Sequence, residues 1–171
     1  MVQKLAKVLK GIDKISEFTA KSFSYIVLLI VALQAFEVVR RYILKSPTDW
    51  SWELATMLTG VSWMVGVAWV LKEGKHVRTD IIYGRLSKKW QAIIDIVFFG
   101  FIFTPFVGVL LWKTTQNAFF AWSIDERTFS MWGPPIAPSK TIFALSFFLL
   151  ALQGIAKLLR DIIYVVKGEE V

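Results

Sequence analysis

Few side chains in this sequence can do chemistry, and their spacing limits what they can do. His76 is the only histidine and there is no cysteine. That removes thiolate nucleophiles, disulfides, thiol metal sites and bis-histidine haem. His76 stands in a charged stretch beside Lys75 and Arg78. Catalysis there would need an acid or nucleophile partner in a cleft, and a metal would need further ligands. No G-x-x-x-x-G-K-[ST] loop is present, so nucleotide is not held in that manner. Asp95 is the one acid inside a long apolar stretch, which makes it a candidate functional group. It lies about six residues, roughly 9 Å of helix, beyond Lys89, so interfacial water or Lys88 can also reach it. Glu37, Arg40 and Arg41 fall at helical spacing. Glu37 is expected to pair with both arginines, either as a locally neutral interfacial cluster or as an ion pair to a partner.

The elements that must carry these residues are apolar. The 171 residues are 56% hydrophobic and 19% charged, with a mean hydropathy of +0.56. Typical soluble domains have about 25% charged residues, so disorder and a soluble enzyme are both disfavoured. The net charge of +7 fits nucleic acid or an anionic membrane face, and the apolar content decides for the membrane. Charge-free gaps of 15, 18, 17 and 16 residues follow Lys21, Glu53, Asp95 and Lys140. With their apolar flanks they reach the length of about 20 residues needed to cross a bilayer. The sequence therefore predicts an all-α membrane protein, one domain over 1–171. Its four spans are expected at about 22–44, 53–72, 89–113 and 140–163.

The first span reads as uncleaved, since no small-residue cleavage site follows it. Fourteen lysines and arginines fall on the side of the termini and second loop, and six on the other. Both termini are therefore expected in the cytoplasm. Trp50, Trp52, Trp112, Trp122 and Trp132 would mark the outer interface and Trp90 the inner one. Residues 1–21 place Leu5, Val8, Leu9, Ile12 and Ile15 on one face with Lys4, Lys7 and Lys14 on another. That predicts a basic amphipathic helix on the inner leaflet, with membrane lipid as its partner.

Small residues recur at spacing four, as Thr56/Gly60, Ser62/Gly66 and Gly100/Thr104/Gly108. They are expected to pack helices within the bundle or against another subunit. Pro105 is expected to kink the third span. Gly74 is expected just past the end of the second helix, and Asp80 to pair with Arg78 or cap the next segment. On the outer loops, Lys45, Asp49, Asp125, Glu126 and Arg127 lie farthest from the spans. They are the candidates for docking a soluble partner through screened charges.

Taken with these spans, Arg41-Tyr42, Trp52-Glu53-Leu54, Gly66-Val-Ala and Gly74-Lys-His76-Val-Arg78-Thr-Asp80-Ile resemble the small membrane subunit of tripartite ATP-independent periplasmic (TRAP) transporters. Ser123, Arg127, the stretch Trp132-Gly-Pro134-Pro135-Ile-Ala-Pro138 and Gln153 are similar as well. Leu54 stands where some relatives have a second acid beside Glu53. The resemblance implies an accessory subunit, not an enzyme, in a bacterial inner membrane. It implies no cofactor in this chain and sodium in a large multi-span permease subunit. A periplasmic binding protein would deliver an organic acid, carboxylate or sialic-acid-like. The candidate structural or subunit-contact residues are then Glu37, Arg40, Arg41, Trp52, Glu53, Gly74, His76, Arg78, Asp80 and Asp95. The second reading is an autonomous four-helix exporter acting as a dimer, which would want a buried central carboxylate and short loops.

Overall fold

The structure is a computed structural model that describes residues 2–74 and 86–168. His76, Arg78 and Asp80 lie outside the described residues. The helices are α1 (Val2–Ser24), α2 (Ile26–Val38), α3 (Ser51–Lys72), α4 (Lys88–Val97), α5 (Thr104–Ser123) and α6 (Ala137–Lys167). A π-helical turn, Val39–Ile43, prolongs α2, and a second, Phe98–Phe103, joins α4 to α5. Among the described residues, four helical runs are long and apolar enough to cross a membrane: Ala6–Ile43, Ser51–Lys72, Lys88–Ser123 and Ala137–Lys167.

The third and fourth runs extend past the charges that seemed to bound them. The third continues beyond Lys113 to Ser123, and the fourth ends at Lys167, where Gly168 (φ 72°) donates its N–H to the Tyr164 carbonyl. A charge does not end a helix, because the backbone ladder is indifferent to side-chain type. A residue in the left-handed region does end it, as Gly74 (φ 65°) does after α3 with its N–H on the Leu71 carbonyl.

α6 is central. It packs against α3 on one side and α4–α5 on the other, while α1 lies against α3 and α6, and α2 against α3. Ala68, Leu71, Phe99, Val107 and Leu150 form the core, with Phe103, Phe147 and Leu158 around it. One contact sets how closely α6 approaches the second π turn. A Cβ on Gly154 would stand 2.2 Å from Cε1 of Phe103, and that ring is itself packed on Phe99 with centroids 4.8 Å apart. Gly60 is close to Phe143 (3.3 Å), whereas Gly66, Gly100 and Gly108 face open space. The small-residue spacing therefore packs the bundle at Gly60 and not at those three.

Pro105 sits just after the second π turn. Just before it, both the N–H and the Oγ1 of Thr104 donate to the Phe99 carbonyl, the latter at 2.6 Å, in the wider π register.

α1 stays on the bundle below Lys21. Leu9, Ser16 and Ala20 are buried, while Val8, Ile15 and Phe18 are exposed. The apolar stripe of the leader thus splits, one flank packed inward and one left bare.

Candidate functional site

Two polar clusters occupy opposite ends of the bundle. At the loop end, Glu37 is buried although it lies in an apolar helix. Its Oε1 accepts from Arg41 Nη2 (2.8 Å) and Nε (3.2 Å). Its Oε2 accepts from the hydroxyls of Thr48 and Ser51, the latter at 2.8 Å, and from the Thr48 backbone N–H at 3.3 Å. Ser51 opens α3, so the carboxylate fastens α2 to the N-terminus of α3, where a negative charge is also favoured by the helix dipole. Arg40 does not join this cluster. Its Nη2 donates to Ser46 Oγ (3.1 Å) and its Nε is buried with no hydrogen-bond partner among the described residues. In the π turn the two arginines diverge, so the expected double pairing is a single one.

The same end is sealed by contacts between the two loops. Phe36, Trp50 and Trp132 form a chain of rings with centroids 6.2 and 6.4 Å apart. Ser130 Oγ donates to Glu53 Oε2 (2.5 Å), and the Gly133 N–H donates back to Ser130 Oγ (3.0 Å). An isolated antiparallel bridge joins Arg127 and Pro135. Trp52 is exposed.

Of the expected docking charges, Lys45, Asp49, Asp125 and Arg127 are exposed, and Arg127 pairs with Asp125 (3.1 Å). Glu126 differs from them. It is half-buried, paired to Lys140 at 2.5 Å, and its carbonyl accepts the Ile136 N–H at 2.9 Å. It closes the loop onto α6 rather than standing free.

At the end bearing the termini, Asp95 is buried and accepts from Lys157 Nζ at 2.5 Å. Lys157 also meets Asp161 (2.8 Å) and lies 5.3 Å from the centroid of the Phe99 ring. One partner of Asp95 is thus a cation on another helix. Beside it, Asp13 accepts from Arg160 Nη2 (2.6 Å) and Gln153 Nε2 (2.8 Å), and Ser16 Oγ donates to Gln153 Oε1 (3.3 Å). Glu17 bridges Lys21 (2.6 Å) and Lys72 (2.7 Å). Together these contacts tie α1, α3, α4 and α6.

Asp13, Ser16, Glu17, Lys72, Lys157, Arg160 and Asp161 are not among the site residues expected from the sequence, because most of their partners lie on other helices. One signal was present: Asp13/Glu17 and Lys157/Asp161 are each four residues apart, which puts each pair on one helix face.

No group of three or more histidine, cysteine or acidic residues able to hold a metal occurs among the described residues. The arrangement can neutralise charge inside a membrane and fix helices to one another.

No curated protein matches the chain. A sequence model of one family, described as the tripartite ATP-independent periplasmic transporters, DctQ component, matches residues 23–163. That match covers most of the chain, and with its four spanning helices the chain belongs to the DctQ family of TRAP transporter small membrane components.

Proposed function

We propose that the chain is the static membrane scaffold of a sodium-driven TRAP system for an organic acid, carboxylate or sialic-acid-like, in a bacterial inner membrane. It holds a large permease subunit and helps dock the periplasmic binding protein. The observation that carries this reading is that the span carboxylates are spent on helix-to-helix contacts. Asp95 is held by Lys157, and Glu37 by Arg41, Thr48 and Ser51. Carboxylates so committed suit a rigid support rather than a moving carrier. The exposed Lys45, Asp49, Asp125 and Arg127 at the loop end provide the screened charges that a partner released after each delivery requires.

The test is reconstitution. In liposomes with a sodium gradient, this chain alone is expected to accumulate no organic acid above empty vesicles. Together with the permease and the binding protein it is expected to give uptake. Uptake by the single chain would instead establish the autonomous exporter or another carrier.

The reading includes cytoplasmic termini and a leader helix whose bare Val8, Ile15 and Phe18, beside exposed Lys7, Lys10 and Lys14, meet the inner leaflet. Because the chain lacks cysteine, single cysteines probe this directly. In intact cells an impermeant thiol reagent is expected to label Lys45→Cys and Phe129→Cys and to miss Lys89→Cys until lysis. Ala118→Cys is expected to react poorly on either side, since Ala118 is buried. Labelling at position 89 without lysis would overturn this orientation.

A further inference from the structure

α5 carries an exposed face that suits neither lipid nor water. Phe106, Val109, Lys113, Gln116, Asn117 and Phe120 are all exposed and share one side of the helix, at steps of three, four and seven. The depth of Lys113 follows from contacts across the bundle. Leu111, Thr115 and Ala118 line a groove of about 330 Å³ opposite Ala144, Leu145 and Phe148 of α6. Phe143, next along α6, reaches Gly60 of α3. Lys113 is therefore level with the region of Gly60, which is nine residues into α3, about 14 Å from its start. α3 is the shortest spanning helix, so that level is near its middle.

Lys113 has no hydrogen bond or ion pair with any described residue. A lysine can extend its ammonium toward the interface, but the carboxamides of Gln116 and Asn117 cannot reach as far. Tilting the bundle until water begins at Lys113 does not resolve the mismatch. It would leave the exposed Phe119, Phe120, Trp122 and Phe129 in water. The opposite flank has no such conflict: α2 exposes Leu28, Val31 and Phe36 and has no charge from Ile26 to Phe36.

We propose that this face of α5 is the contact surface for a membrane-spanning helix of a different chain, one that presents a carboxylate to Lys113 and apolar side chains to Val109 and Phe120. A second copy of this chain fits poorly, because the span acids Glu37 and Asp95 are already bonded within their own chain. The inference rests on the scaffold reading and deepens it, with the large permease subunit as the partner.

The test uses the chain co-expressed with the permease. A benzoylphenylalanine photo-crosslinker at position 116 is expected to capture the permease, and one at position 28 is expected to capture no protein. Lys113→Glu is expected to lower the co-purified permease at least tenfold, with Lys113→Arg retaining it. If the unmodified pair fails to co-purify, the scaffold reading itself falls. If the pair co-purifies but crosslinks from position 28 and not from 116, the scaffold reading stands and this surface is wrong. Capture of a second copy from position 116 would also overturn it. Should Lys113→Glu fail to accumulate, the crosslinks made with Lys113 in place still decide.

Discussion

Gly154→Ala is expected to destabilise the bundle by about 1–3 kcal/mol, the usual cost of overpacking a filled core. Helix propensity alone predicts the opposite sign, since alanine is better than glycine in a helix by about 1 kcal/mol. The clash wins because the added methyl would stand 2.2 Å from Cε1 and 2.9 Å from Cδ1 of Phe103. That ring cannot simply turn aside, being packed on Phe99. Unfolding in detergent by a denaturant titration measures the loss. Adding Phe103→Leu, which shortens the obstructing side chain, is expected to cost less on top of Gly154→Ala than in the parent. A Gly154→Ala chain as stable as the parent, or a strictly additive pair, would show that the close approach does not govern how α6 meets the π turn.

Lys157→Met is the second large effect, expected at about 3–5 kcal/mol, the range for removing one partner of a buried pair. The side chains of Lys157 and Asp95 are 19% and 11% exposed, so little solvent is available to take over. The substitution removes the Lys157 ammonium from Asp95 on α4 and from Asp161 on α6. Replacing both members with leucine is expected to cost less than the sum of the single changes, because the Asp95 charge is removed together with the cation that offsets it. The readout is again detergent unfolding, as a double-mutant cycle. Additive losses would mean that Asp95 and Lys157 are solvated separately and do not hold α4 to α6.

The four spanning helices were legible because each is bounded by charges and is nearly free of them inside. What charge spacing could not give was tertiary. Lys157 reads as the inner end of a span, yet its helix continues to Lys167 and its ammonium turns inward to Asp95. Asp13 and Glu17 lie in the leader and bind Arg160 and Lys72, far away in sequence. Spacing of four picked out Gly60, Gly66, Gly100 and Gly108 alike, and only Gly60 meets another helix. Gly154 makes the closest approach among the described glycines, but its neighbours at that spacing are the bulky Leu150 and Leu158, so no motif announced it. The Glu37 cluster was half readable. Its Arg41 bond is local, but its hydroxyl donors Thr48 and Ser51 come from beyond the π turn.

The wide turn at Phe98–Phe103 also separates two rotational settings along one continuous rod. Before it, the helix is phased so that Asp95 meets Lys157. After it, the phase suits Val107, Ala118 and Ala121, the buried side of α5. A π turn holds one more residue than the α turn it replaces, and a residue is worth about 100° of rotation. The turn therefore works as a coupling between two dials, one set by charge and the other by shape. Shortening it by a single residue would leave the chain helical throughout and yet swing one setting out of alignment with the other, so its length, more than its sequence, is what the rest of the third span depends on.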